Sequence, residues 1–185
     1  MNLRQLLYSD LARQYALEGR PASKPNLLRF LARLGHHRFL PVVLCRMSRA
    51  AMLHRIPLLP QMLTYANIVL FGIEVTPRCE IGPGLFLAHT SGTVVGAARI
   101  GANAIIFQGV TLGAKKLAMS FDAADRPEVG DSVVLGAGAK ILGGIYLGDN
   151  VTVGANSVVT RSVPPNQTVA GIPARQISAM ETRTQ

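Results

Sequence analysis

One histidine stands apart from every other side chain that could move a proton. His89 lies in the segment LAHTSGTVVG, whereas His36, His37 and His54 all fall within the first 72 residues. A neutral imidazole titrates near pH 6.5, which suits it to accept a proton from a hydroxyl as a new bond forms. A lone histidine is otherwise a structural residue, so its surroundings must carry the assignment. Cys45 and Cys79 are the only thiols, and they have neither the number to staple a fold nor the spacing to hold a metal.

The segment that must position His89 is marked by its period. Val129, Leu135, Ile141, Leu147, Val153 and Val159 recur every six residues. An earlier run holds Val75, Ile81 and Leu87, followed one residue out of phase by Val94, Ile100, Ile106 and Leu112. Glycine follows the aliphatic residue at Gly82, Gly101, Gly130, Gly136, Gly148 and Gly154, setting a permissive backbone beside a buried anchor. A helix turns through about 600° in six residues and would scatter such anchors around its surface. A prism fits: each unit gives one short strand and a corner, and three units give an eighteen-residue coil that stacks on the next at about 4.8 Å. Between Ala114 and Arg126 the repeat vanishes, then resumes in phase at Val129, which predicts a loop projecting from a coil corner over a site. Ahead of the coils, from Leu3 to about Tyr65, apolar residues recur at helical spacing, as in Leu27, Leu28, Leu31 and Leu34. Breaks at Gly19 to Pro25 and Pro57 to Pro60 predict three helices.

From about Thr64 to Ile177 the chain resembles the hexapeptide-repeat acyltransferases, in the branch that holds serine acetyltransferase and its polysaccharide-modifying relatives. The segments IGPGLFLAHTSGTVVG, FQGVTLG, VVLGAGAKILGGIYLGDNVTVGANSVV and VPPNQTVAGIPAR carry the resemblance. It implies a mainly β fold, a left-handed parallel β-helix over residues 73–177, after an α-helical segment 1–72 and before a tail 178–185. It also implies a homotrimer with sites between neighbouring prisms, acetyl-CoA as donor, and His89 as the catalytic base. A hydroxyl is too weak an acid to attack a thioester as alkoxide at neutral pH, so the chemistry needs such a base. Glu74, in GIEVTPRCEIG, stands where the family carries an aspartate that orients the histidine; one eighteen-residue coil would bring it near position 92, beside His89. For the donor, the resemblance points to Ala137, Ala155, Thr160 with Arg161, and Arg175, the two arginines meeting phosphate. Gly113, beside the loop, would permit close approach of the thioester.

The chain departs from serine acetyltransferase around the acceptor. Ala88 stands where those enzymes carry an aspartate that helps hold the amino group of serine, and the segment DRP offers Arg126 for the substrate carboxylate but no histidine after it. A zwitterion in a partly desolvated site needs both charges met, at a cost of a few kcal/mol for one left unmet. A neutral sugar hydroxyl makes no such demand. The sequence therefore predicts an O-acetyltransferase acting on a sugar or a surface-polysaccharide intermediate, a small-molecule or glycan acceptor, with serine O-acetylation as the alternative.

Two other classes are weighed against this. A carbonic anhydrase on the same fold needs three histidines around zinc, and the coils hold only His89; a binding scaffold needs neither the interruption nor a histidine at a phase break. The charge of the chain, +9, is concentrated ahead of the coils: residues 1–72 hold ten Arg or Lys against Asp10 and Glu18. This suits a solvated basic face or attraction to an anionic membrane surface, and no aromatic platform argues for nucleic acid. With no secretory signal and no apolar run of spanning length, a cytoplasmic protein is expected, with peripheral contact at the inner face of the membrane.

Overall fold

The computed structural model describes residues 1–20, 27–116 and 120–177. The expected tail 178–185 lies outside the described residues. Four helices come first among these: α1 (Leu3–Leu17), α2 (Leu27–Arg33), α3 (Leu40–Leu53) and α4 (Leu59–Phe71). Asn2 and Gln5 close a reciprocal capping box on α1, each side chain bonding the other's backbone N–H. The sequence predicted three helices; the fourth arises because the chain breaks at Gly35 and restarts before Pro41, which sits in the first turn of α3. Leu34 and Leu40 keep the apolar pattern running across that break, so periodicity alone does not reveal it.

Gly72 ends α4 in a left-handed conformation (φ 64°) and turns the chain into the coils. The first coil holds β1 (Ile73–Val75), β2 (Glu80–Ile81) and β3 (Phe86–Leu87), and the second β4 (Thr93–Val95), β5 (Arg99–Ile100) and β6 (Ile105–Ile106). The third holds β7 (Thr111–Gly113), β8 (Glu128–Val129) and β9 (Val134–Leu135), and the fourth β10 (Lys140–Leu142), β11 (Tyr146–Leu147) and β12 (Thr152–Val153). A fifth starts at β13 (Val158–Val159), passes a bridge between Val163 and Leu147, and closes with β14 (Thr168–Ala170). Parallel pairing stacks these strands into three walls, β1-β4-β7-β10-β13, β2-β5-β8-β11 and β3-β6-β9-β12-β14. The result is the left-handed parallel β-helix that the resemblance implies. A last strand, β15 (Arg175–Ile177), folds back antiparallel on β14.

The ladder fills the prism as one column per wall, such as Leu87, Ile106, Leu135, Val153 and Val169 in the third. One rung differs from the sequence reading. Val95, 2% exposed, points inward in the second coil, while Val94 is 38% exposed on the outer face. Adjacent valines are equal in hydropathy, and only the length of the preceding corner decides which one a pleated strand turns inward.

The helices close the top of the prism. Val42 and Cys45 of α3 join the same core as Ile73 and Cys79. Arg46 of α3, almost wholly buried, reaches Asp10 of α1 at 2.9 Å through two nitrogens and donates to the carbonyls of Ile81 and Gly82. Asp10 in turn accepts the Leu85 N–H at 2.9 Å. One ion pair thus ties two helices to the first coil.

Candidate active site

The corner that joins the third wall to the first is built alike in successive coils. The third-wall registers (Leu87 with Ile106, Ile106 with Leu135, Leu135 with Val153) set His89, Gln108, Ala137 and Ala155 in one column along this edge. Backbone bonds lace the column: the Gly138 N–H donates to Gln108 at 2.8 Å and the Asn156 N–H to Ala137 at 2.8 Å. Each corner then turns through a left-handed residue, at Gly92, Gly109, Gly138 and Asn156 (φ 70°, 69°, 73° and 54°). Glycine meets no Cβ clash there, and asparagine tolerates it.

The first corner is longer than the rest. From inward Leu87 to inward Val95 the chain takes eight steps, where Ile106 to Leu112 takes six. The two extra residues form a bulge that carries His89 out into solvent, exposed and with no hydrogen bond or ion pair from its side chain. The bulge itself is pinned: the Gly92 N–H donates to Gly72 at 2.9 Å, the Gly109 N–H to Ser91 at 3.0 Å, and the Thr93 N–H to Thr90 at 3.1 Å. The buried Thr93 hydroxyl adds a longer bond to the Phe107 carbonyl at 3.4 Å. An exposed ring on a fixed backbone can reach a proton without displacing the wall.

Glu74 projects from the outer face of β1, paired in register with Val94 rather than with position 92. The bulge explains the difference, since the first coil takes twenty residues instead of eighteen to return to the first wall. No hydrogen bond or ion pair joins Glu74 to His89 in a single chain. Ala88 is buried, its N–H bonded to Ile106 at 3.0 Å. Three further residues on this edge escape both the repeat and the resemblance. Thr93 could have been found as a polar residue at a buried position, and Gln108 as a polar residue in the column that Ala137 and Ala155 continue. Lys140, which donates to the Gly109 carbonyl, left no signal in the sequence.

All of the remaining expected residues but Arg175, which lies on β15 in the third wall, are one wall away. Gly113 and Arg126 flank the loop at the corner between the first and second walls, so the described part of the loop does not overhang His89 within one chain. It folds along its own corner. The Phe121 ring sits 4.5 Å from the Arg126 guanidinium and 5.6 Å from that of Arg78, and the Ala124 carbonyl fills the space where a Cβ on Gly144 would stand. Arg126 donates to the Gly96 carbonyl at 3.0 Å, while its buried Nε has no partner. It lines a cavity of about 260 Å³ with Glu128, Tyr146 and Ser162. A Cβ on Gly113 would meet nothing, so that glycine leaves open surface. Thr160, Arg161 and Arg175 line one cavity of about 190 Å³ at the foot of the prism. Two guanidiniums and a hydroxyl there suit the phosphates of a nucleotide. Among the described residues no group of three or more His, Cys, Asp or Glu could hold a metal.

The family model described as "Bacterial transferase hexapeptide (six repeats)" matches residues 126–161, and "Hexapeptide repeat of succinyl-transferase" matches 98–115. The serine acetyltransferase of Synechococcus elongatus is 37% identical over 174 residues, covering 92% of this chain and 69% of that one. That of Staphylococcus xylosus is 48% identical over 103 residues, 55% of this chain and 46% of its own. Among solved structures, the serine acetyltransferase of Neisseria gonorrhoeae superposes with a TM-score of 0.79 at 32% identity, over 95% of this chain and 66% of that chain. The Brucella abortus enzyme in complex with coenzyme A gives 0.80 at 32% identity, over 94% and 67%. The chain thus spans about two thirds of the longer relatives and under half of the staphylococcal one.

Proposed function

Because the chain belongs to the hexapeptide-repeat acyltransferases, in the branch of the serine acetyltransferases, we propose that it transfers the acetyl group of acetyl-CoA to the hydroxyl of L-serine, with His89 as general base. The observation that carries this is the match of nearly the whole chain, helices included, to enzymes of that one activity. The sugar acceptor expected from Ala88 gives way on the same ground. His89 takes the hydroxyl proton as the oxygen attacks the thioester carbonyl; when the tetrahedral intermediate collapses, the C–S bond breaks and the imidazolium returns the proton to the departing thiolate. Glu74, which no hydrogen bond or ion pair joins to His89 within one chain, has no part in this step; Ala137 and Ala155 offer a smooth edge for the pantetheine arm. Arg161, Arg175 and Thr160 receive the phosphates.

In one chain His89 is open to solvent and Arg126 lies a wall away. A homotrimer that sets the His89 edge of one copy against the loop edge of the next would bring the two together around an acceptor. Arg126 would then meet the serine carboxylate.

A second reading rests on Ala88: with no carboxylate beside His89 to meet an ammonium, a neutral hydroxyl on a sugar would fit with less loss. Thiol release from acetyl-CoA, followed with L-serine and with a panel of sugars and nucleotide sugars, separates the two. Turnover with serine and not with sugars is expected. Efficient turnover of a sugar with none of serine would reverse the assignment.

A further inference from the structure

The outer side of the helical segment carries apolar and cationic groups together. Leu27, Leu28 and Leu31, which recur at helical spacing in the sequence, are 63%, 77% and 53% exposed on α2. Beside them an open groove of about 410 Å³ between α1 and α2 is lined by Leu3, Leu7, Tyr8, Leu27 and Phe30, with Arg4 as the one charged residue among the described lining. The Arg4 guanidinium stands over the Tyr8 ring at 5.5 Å, and Arg29 is exposed between the leucines.

Charge decides what such a face can meet. Only two acids occur in residues 1–72, and both are consumed internally: Asp10 is buried against Arg46, and Glu18 pairs with Arg33 and, at 3.4 Å, with Arg20. A second copy would bring the same cations face to face with no acid of residues 1–72 left over to offset them. The outward side of α4 differs, since no charged residue occurs from Pro57 to Ile73 while Met62, Tyr65 and Val69 are exposed, so a second copy would meet no such repulsion there. We propose that the α1–α2 face docks on an anionic lipid bilayer, the three leucines entering the headgroup boundary and the arginines meeting lipid phosphates. Apolar insertion and basic charge are the two contributions that hold a peripheral helix at such a surface. No helix among the described residues is long and apolar enough to cross the bilayer, so the contact lies in its surface.

The full chain should co-sediment at low salt with vesicles containing about one third phosphatidylglycerol and stay in solution with phosphatidylcholine alone. Raising salt to about 0.5 M should release it, because screening shortens the reach of each arginine. Arg4→Gln with Arg29→Gln should weaken binding about fivefold per arginine, and Leu28→Glu with Leu31→Glu should abolish it, both leaving acetyl transfer unchanged. No binding to anionic vesicles, binding that survives the glutamate variant, or a glutamate variant whose main effect is a lower oligomeric mass would each overturn the proposal. Because the readout is lipid binding, it stands or falls separately from the identity of the acceptor.

Discussion

His89 owes its position to two extra residues in one corner and to nothing its own side chain touches. His89→Ala should therefore leave the fold and coenzyme A binding intact while lowering kcat by roughly 100-fold to 10,000-fold, the range for loss of a general base. Calorimetry with coenzyme A and a circular dichroism melt, alongside the rate, check all three parts. The two thiols behave in the opposite way, being fixed by their surroundings and chemically silent. Burial pushes the Cys45 and Cys79 thiols from an ordinary value of 9.0 up to about 12. A folded state that holds its protons more tightly than the unfolded one keeps that contribution below pH 9 and loses it as pH climbs towards 12. Unfolding free energy should fall over that window, less steeply in a Cys45→Ala, Cys79→Ala protein, and neither thiol should react with a disulfide reagent at pH 8 before unfolding.

Among the elements, α1 and α3 are joined to the first coil by the Asp10–Arg46 pair. Asp10→Ala leaves a buried guanidinium without its anion and should cost about 3–5 kcal/mol, read as a lower denaturant midpoint. Since Asp10 also holds the Leu85 N–H, four residues before His89, the variant should lose activity before it loses its helices. That link was invisible in the sequence: Asp10 and Arg46 sit 36 residues apart in an otherwise basic stretch, and no local pattern pairs them. The walls were legible for the contrary reason, because a buried column repeated every six residues leaves its mark at each rung. Where the coil departs from eighteen residues the marking fails, so Val94 and Val95 exchange places and Glu74 moves two positions from its expected neighbour. His89 was legible through its motif. Arg126, Arg161 and Arg175 were legible as residues of interest, but which edge each occupies depends on the walls between them.

At the scale of the whole molecule, a parallel coil stacked on its predecessor has no internal reason to stop. Each new turn offers the next the same row of unpaired amides and carbonyls. β15 ends the series in the third wall, since its reversed direction answers β14 with an antiparallel pattern that another parallel turn cannot match. A protein shortened to end at Ala170 should still fold its first four coils. Its light scattering should nevertheless rise with concentration as two exposed feet adhere, the helices covering the other end, whereas the intact chain keeps a constant mass. The return of one three-residue strand thus shields the third wall at its open end, where the helices offer no cover.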